Sequence, residues 1–270
     1  MLFRSGLNLV KYLQQKFYYV VGLDKRDLVL NLGDEFIHQD ILDTKLLNDE
    51  YDTIIHLAAL VQVGGGQKAM MDYYRTNVVG TMNMLELVEF DKFIFASTCQ
   101  AGFRTHVYGQ TKGFAEGVVI QYCQLNNKDY IIFEFGNVIG TDGFEPTNPD
   151  GLLYNLMKAR ETGVFYLYGD DFGTEDGTAE RDYIHVNEVC HGLWKAIDYN
   201  EILNYTASLG HGKFYTVKEC IEAFKKANNC DFEVVVKPRR KGDPDNVYDL
   251  WPDRKYLPDQ LYTLEEMMRV

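Results

Sequence analysis

The chain has 270 residues and a formal net charge of −13 at pH 7, and 46% of its residues are hydrophobic. This hydrophobic share predicts a globular fold and argues against a disordered chain. The acidic balance argues against a nucleic-acid surface or an anionic membrane face as partner, and no apolar run approaches the roughly 20 residues of a membrane span.

Five cysteines occur without any Cys-x-x-Cys pair, namely Cys99, Cys123, Cys190, Cys220 and Cys230. An odd number of scattered cysteines favours reduced thiols over a disulfide framework or a zinc site, so we expect no metal. Residues 1–6 lack the apolar region of a signal peptide. These features together predict a cytoplasmic protein.

Short apolar segments alternate with helical patterns along the chain. We expect strands over residues 18–23, 53–57, 92–96 and 130–135, because these runs are rich in β-branched and aromatic residues. Apolar residues at three- and four-residue spacing predict helices over residues 7–16, 70–89 and 111–125. This alternation indicates an α/β fold with a doubly wound parallel sheet, whose ligand lies at the carboxyl ends of the strands.

An acidic residue, Asp24, ends the first of these strands. In a Rossmann fold an acid at this place accepts hydrogen bonds from the adenosine ribose, and it favours NAD over NADP. Taken alone, an acid at this place is more often a solvated turn residue.

The sequence Tyr-Gly-Gln-Thr-Lys at residues 108–112 has the spacing of a tyrosine base and its lysine. On a helix this spacing puts both side chains on one face, where the Lys112 ammonium is expected to lower the pKa of the Tyr108 phenol. The same spacing recurs at residues 12–16 and 154–158, so it is not specific. The position of Tyr108 shortly after the strand over residues 92–96 favours the middle pair.

The run Tyr-Gly-Asp-Asp-Phe-Gly-Thr-Glu-Asp-Gly-Thr-Ala-Glu-Arg-Asp-Tyr-Ile-His-Val at residues 168–186 resembles a segment of the UDP-glucose/UDP-galactose 4-epimerases. These enzymes belong to the extended short-chain dehydrogenase/reductases. The resemblance extends over nearly the whole chain, and it implies a Rossmann-like NAD-binding domain over residues 1–138. A smaller nucleotide-sugar-binding domain is expected over residues 139–270, with some segments returning to the sheet.

The resemblance implies roles for individual residues. Tyr108 and Lys112 correspond to the catalytic pair, and Thr98, in Ala-Ser-Thr at residues 96–98, corresponds to the catalytic hydroxyl. On the substrate side the implied binding residues are Asn137, Arg181, Arg240 and Asp243. The implied NAD-binding residues are Gly6, Asp24, Asp40, Ile41, Leu57, Ala58, Ala59, Asn77, Tyr108 and Lys112.

The implied reaction is the interconversion of UDP-glucose and UDP-galactose through a 4-keto sugar, with NAD as cofactor and a UDP-sugar as substrate. Tyr108 exchanges the proton of the sugar 4-hydroxyl in this scheme, while Thr98 binds the reacting oxygen. Members of the family often dimerise through helices equivalent to residues 70–89 and 111–125. We therefore expect a homodimer.

Three departures from the family pattern keep alternatives open. The opening strand and the first part of the Gly-x-x-Gly-x-x-Gly loop have no counterpart, since only Gly6 aligns with the third glycine. Nine residues separate Thr98 from Tyr108, fewer than in the family, and Val61 replaces a common lysine. The alternatives are a non-catalytic or impaired nucleotide-sugar-binding homologue that has lost NAD, and another extended-family epimerase or dehydratase.

Overall fold

The computed structural model describes residues 3–26, 33–45, 49–61, 69–101, 106–144, 146, 148–199, 204–240 and 251–270. The helices are α1 Phe3–Gln14, α2 Met70–Tyr74, α3 Gly80–Leu87, α4 Val107–Asn126, α5 Leu152–Thr162, α6 Val186–Asp198, α7 Val217–Asn228 and α8 Leu264–Met267. The strands are β1 Val21–Asp24, β2 Glu35–His38, β3 Glu50–His56, β4 Glu89–Thr98, β5 Asp129–Phe135, β6 Asn137–Ile139, β7 Val164–Tyr168, β8 Glu180–His185, β9 Tyr205–Leu209, β10 Phe214–Thr216 and β11 Glu233–Lys237.

A four-stranded parallel sheet in the order β3-β4-β5-β9 forms the centre of the fold. Its two inner strands, β4 and β5, contain continuous buried runs because both faces are covered. Phe93, Phe95 and Ile132 pack with residues of α3 and α4 on one face. Ile94 and Phe133 pack with residues of α1 and α6 on the other. This arrangement confirms the predicted doubly wound parallel sheet.

Strands β1 and β2 form a separate parallel pair, in which Asp24 lies opposite His38. In the described part of the chain β1 is bonded only to β2, and β3 only to β4. The edge of β1 that faces away from β2 and the edge of β3 that faces away from β4 are therefore not hydrogen-bonded to each other.

The expected elements are present with bounds that differ from the predicted ones, and two of the differences have a local cause. The predicted strand over residues 18–23 begins only at residue 21, because Phe17 has a positive φ of 64° and the Tyr18 amide bonds back to Leu13. The predicted helix over residues 70–89 contains a π-helical turn, Arg75–Val79, between α2 and α3. Such turns are frequent at functional sites, and this one carries Asn77.

The remaining strands form two smaller ladders, β10-β8-β6 and β11-β7. A second apolar cluster, which includes Leu156, Phe165, Phe224 and Met267, packs α5, α7 and α8 against these strands. Strand β9 belongs instead to the central sheet. The division into domains over residues 1–138 and 139–270 stays our proposal.

No helix in the described ranges has both the length and the apolar character needed to cross a membrane.

Candidate functional site

Tyr108 and Lys112 lie in the first two turns of α4, and Thr98 is the last residue of β4. The helix begins at this place because the His106 ring accepts a hydrogen bond from the Gly109 amide, at 3.0 Å. Gly113 lets the helix approach the turn after β4, since a Cβ there would lie 2.7 Å from the Ala101 carbonyl oxygen. The catalytic residues predicted from the sequence are thus brought to the carboxyl end of a central strand.

Burial dominates the electrostatics of Tyr108. It raises the pKa of the phenol above its ordinary value, while a hydrogen bond with the Thr98 side chain acts in the opposite direction. The sequence led us to expect a pKa lowered by Lys112. That expectation does not hold here, because desolvation of the ring outweighs the favourable contacts.

Lys112 is a buried cation, with only 1% of its surface exposed. Burial lowers its pKa to about 7, and the charge of Glu116 acts in the opposite direction. The ammonium nitrogen lies 3.9 Å from the centroid of the Phe95 ring. A cation over an aromatic face keeps a favourable electrostatic partner without an adjacent carboxylate.

The loop after β3 contains Leu57, Ala58 and Ala59 and is fastened by Asn77. The buried Asn77 amide accepts from the Leu60 amide at 2.8 Å and donates to the Leu60 carbonyl at 3.0 Å. It also donates to the Thr111 hydroxyl on α4, at 3.0 Å. These contacts give Asn77 a role in positioning the loop against α4, while a contact with NAD stays a prediction.

Asp24 ends β1, as expected, but its carboxylate is already bonded to Arg26. Oδ1 accepts from the Arg26 backbone amide at 2.9 Å and from Nε at 3.0 Å, and Oδ2 accepts from a terminal guanidinium nitrogen at 2.8 Å. Burial alone would raise the pKa of Asp24, yet the Arg26 bonds bring it below its ordinary value. A ribose hydroxyl must therefore share Oδ2 with Arg26 or displace it.

Asp40 and Ile41 follow β2 and line a small concavity that is open to solvent, together with Leu23, Asn83 and Leu87. The Ile41 carbonyl accepts from the Asn83 side chain at 2.9 Å, which fixes the rim. Asp40 forms an ion pair with Lys25 at 3.3 Å. The concavity lies beside the end of β1, on the side where the resemblance puts adenine.

On the substrate side, strand pairing links Thr98 to Asn137 and Arg181. Thr98 lies opposite Phe135, two residues before Asn137, and Asn137 lies opposite Tyr183 in the β6–β8 ladder. Arg181 lies two residues before Tyr183 on β8. Burial raises the pKa of Cys99, the residue after Thr98, and the charge of Arg181 is close enough to act on that thiol in the opposite direction. These three predicted residues therefore share one side of the fold.

Arg240 follows β11, and its guanidinium carbon lies 4.1 Å from the Tyr168 ring centroid. This contact puts it at the start of the 168–186 run. Asp243, the other residue predicted for this segment, lies outside the described residues.

Acidic residues within the 168–186 run shape the loop itself. Asp176 accepts from the Thr178 amide at 2.8 Å and from the Thr216 hydroxyl at 2.5 Å. Asp182 accepts from the amides of His211 and Gly212, at 2.8 and 2.7 Å. Asp176 and Asp182 therefore stabilise the fold of this run, and Arg181 is the residue of the run that we predict to contact the ligand.

Sequence reasoning missed a group of polar residues beneath the site. The His56 ring bonds the Thr81 hydroxyl at 3.0 Å, and burial together with the Lys112 charge lowers its pKa to about 3. Ser97 donates a hydrogen bond to the Glu116 carboxylate. The four-residue step from Lys112 to Glu116 was the available signal, since it continues the stripe on which Tyr108 lies.

The residues present fit a dinucleotide cofactor at three places. A Cβ at Gly6 would meet no atom within 4 Å, so the backbone of the first turn of α1 is open to close approach. The concavity at Asp40 and Ile41 is the second open surface beside the end of β1, and Lys112, one turn after Tyr108 on α4, is the third predicted contact. A group of three or more His, Cys, Asp or Glu side chains suited to a metal ion does not occur among the described residues.

Comparisons with known proteins identify relatives of this chain. A UDP-glucose 4-epimerase from Erwinia amylovora is 31% identical over an alignment 276 residues long, gaps included. The match covers 87% of this chain and 80% of that protein. One from Halalkalibacterium halodurans is 31% identical over 241 residues, covering 77% and 72%. The structure of UDP-glucose 4-epimerase from Brucella ovis in complex with NAD superposes with a TM-score of 0.85 at 24% identity, covering 98% of this chain and 93% of that chain. It shows a common fold.

The model of the NAD-dependent epimerase/dehydratase family matches residues 5–206. That range includes the Tyr108–Lys112 pair, Thr98 and Arg181. The chain belongs to the NAD-dependent epimerase/dehydratase family.

Proposed function

We propose that this protein is an NAD-dependent nucleotide-sugar 4-epimerase that interconverts UDP-glucose and UDP-galactose. The observation that carries the proposal is the buried Lys112 one turn after Tyr108, with the Thr98 hydroxyl as a partner of the Tyr108 phenol. The names of the relatives from Erwinia amylovora and Halalkalibacterium halodurans support the same activity.

Tyr108 takes the proton of the sugar 4-hydroxyl and later returns it, and the Thr98 hydroxyl holds the reacting oxygen. Bound NAD supplies the two-electron acceptor and donor of the reaction, and its oxidised ring carries a positive charge. A positive charge beside Tyr108 favours the phenolate and offsets the effect of burial. The phenol is thus expected to be a proton donor at rest and a base in the loaded site.

Lys112 holds a ribose hydroxyl and adds positive charge next to Tyr108 in this proposal. Asn137, Arg181 and Arg240 hold the nucleotide diphosphate, because a guanidinium can donate two parallel hydrogen bonds to phosphate oxygens. This clamp would leave the sugar free to turn between the two half-reactions, so that hydrogen can return to the opposite face of C4 while the 4-oxygen stays within reach of Tyr108.

Replacement of Arg181 tests the clamp. We expect Arg181→Ala to weaken UDP binding by about tenfold or more in titration calorimetry, because one charge-assisted contact contributes roughly 1.5–3 kcal/mol. Arg160→Ala, at an exposed position on α5, is the matched control and should bind UDP like the wild type. Equal affinities for UDP in both variants would contradict the role of Arg181.

The non-catalytic alternative makes a different prediction for the same titration. A homologue that has lost the cofactor should bind UDP-sugar with an affinity that does not depend on added NAD. Our proposal expects NAD to bind and to complete the sugar pocket, so that the affinity for UDP-sugar rises when NAD is present. The dehydratase alternative is disfavoured by Cys99 and Gln100, which stand after Thr98 where an acid pair is expected.

We also propose a homodimer formed by α2, α3 and α4. Large apolar side chains are exposed on these helices and the turn between them: Met70, Met71, Val79, Met82, Phe114 and Leu125. Exposed apolar side chains grouped on adjacent helices are typical of a subunit interface. Sedimentation at micromolar concentration should give twice the chain mass, and a monomer would contradict this proposal.

A cytoplasmic location is our further proposal, on the basis of the five free cysteines. Free thiols are typical of reducing compartments. Cell fractionation should recover the protein with the cytosol, and recovery from an oxidising compartment would contradict it.

A further inference from the structure

Three polar residues, Ser97, Glu116 and Glu134, lie directly behind the catalytic residues. Glu116 follows Lys112 by four residues on α4, and the Ser97 hydroxyl donates to its carboxylate. Ser97 is only 3% exposed and immediately precedes Thr98 on β4. One hydrogen bond therefore joins the helix that carries Tyr108 and Lys112 to the strand that carries Thr98.

Glu134 faces this pair from the neighbouring strand. It lies opposite Ser97 in the β4–β5 ladder and opposite Ser208 in the β5–β9 ladder, and the Ser208 hydroxyl lies 3.4 Å from its carboxylate. Burial raises the pKa of both carboxyl groups, and the charge of Glu134 raises that of Glu116 further. The Ser208 bond opposes this effect at Glu134, whereas at Glu116 both the Ser97 bond and the Lys112 charge oppose it, so Glu116 is the carboxylate that a neighbouring cation stabilises.

Lys112 needs such a charge because an ammonium buried to 1% exposure is costly unless it is compensated. Within the described ranges no carboxylate lies within 4.0 Å of its nitrogen, and the Phe95 ring supplies the close contact. His56 also faces Lys112, from β3, but it is neutral because burial keeps its pKa near 3. Glu116 is the acidic group that acts on Lys112.

We propose that the half-buried Glu116 is the counter-ion of Lys112 and, held by Ser97, a positioning residue for the Tyr108–Lys112 pair. Its carboxylate favours the protonated form of Lys112, and its bond to Ser97 fixes the helix against the strand that carries Thr98. The catalytic consequence rests on the proposed epimerase function, while the charge pairing itself does not.

A double-mutant cycle in urea unfolding tests the pairing without any activity assay. Lys112 has a folded pKa of about 7, below its unfolded value of about 10.4, so its folded-state charge is present below about pH 7 and lost above it. Glu116→Gln keeps the acceptor for Ser97 but removes the charge. At about pH 6.5, where Lys112 is charged, Glu116→Gln should lower the urea midpoint of unfolding more in the wild-type background than in the Lys112→Met background. At about pH 9, where Lys112 is neutral, the decrease should be the same in both backgrounds.

Equal effects of Glu116→Gln in both chains at both pH values would overturn the proposal and leave a purely structural role. If Glu116→Gln does not fold, Ser97→Ala replaces it in the same cycle. Loss of the Ser97 donor raises the pKa of Glu116, so this variant should show a smaller coupling of the same sign. No coupling in the Ser97→Ala cycle would overturn the proposal as well.

The pH dependence of kcat for UDP-galactose tests the catalytic consequence. Glu116→Gln should move the alkaline limb to lower pH by about one unit, because a lost opposite charge favours neutral Lys112, and should leave KM nearly unchanged. Glu134→Gln is the control, since removal of its charge favours ionised Glu116 and should not lower the limb. An unchanged alkaline limb in Glu116→Gln, or the same downward shift in Glu116→Gln and Glu134→Gln, would overturn the positioning role of Glu116.

A wild-type protein without turnover would contradict the proposed function, and the unfolding cycle would then decide the Lys112–Glu116 pairing alone.

Discussion

Tyr108→Phe should lower the kcat of epimerisation by about 10³-fold, because the variant lacks the hydroxyl that exchanges the proton of the sugar 4-hydroxyl. The ring itself is retained, so its contact with the His106 ring, at 6.1 Å between centroids, is expected to persist. Initial rates of UDP-glucose formation from UDP-galactose, with the thermal unfolding midpoint measured in parallel, check this result.

The chain provides a matched control for this variant. Tyr154 precedes Lys158 by the same four residues, but it lies on α5, away from the carboxyl end of β4. Tyr154→Phe should therefore keep wild-type turnover. Activity of Tyr108→Phe close to that of the wild type would contradict the role of Tyr108, and an equal loss in both variants would indicate a general effect of the substitution.

Gly140→Ala should destabilise the fold by at least ~3 kcal/mol, because two costs combine at this position. Gly140 has a φ of +83°, which alanine adopts only with strain, and a Cβ there would lie 1.9 Å from Cδ2 of His185. The His185 ring cannot withdraw easily, since it stacks on Tyr262 at 4.0 Å between centroids and its Nδ1 accepts from the Asn187 amide. Urea unfolding of the purified variant measures the loss.

Gly163→Ala separates these two costs. Gly163 has a similar φ of +79° at the end of α5, but a Cβ there would meet no atom within 4 Å. It should lose only the ~1–2 kcal/mol of a left-handed alanine. If Gly140→Ala loses no more than Gly163→Ala, the packing of His185 against Gly140 is not as tight as described.

The two inner strands of the central sheet could be predicted from sequence because they are apolar on both faces, whereas β9 was not predicted. Residues 92–96 and 130–135 have no polar alternation, so they indicated buried parallel strands, and the structure extends them to Glu89–Thr98 and Asp129–Phe135. The π-helical turn that carries Asn77 could not be predicted, because its apolar spacing fits an ordinary helix equally well.

The candidate site was predictable in position but less so in its electrostatics. The sequence placed Tyr108, Lys112 and Thr98 together, yet the direction of the Tyr108 pKa depends on burial, which the four-residue spacing does not report. Arg26 follows Asp24 by two residues, and only the fold of the turn shows that it occupies the Asp24 carboxylate. Glu116 resembled an ordinary polar helix residue until the structure placed it against Ser97 on β4.

The conversion of UDP-galactose by the wild-type protein in the presence of NAD tests the central claim most directly. We predict that UDP-glucose accumulates to a fixed ratio with UDP-galactose and that no net NADH is formed, because the hydrogen removed from C4 is returned to it. A protein that binds UDP-galactose but forms no UDP-glucose under these conditions would contradict the account.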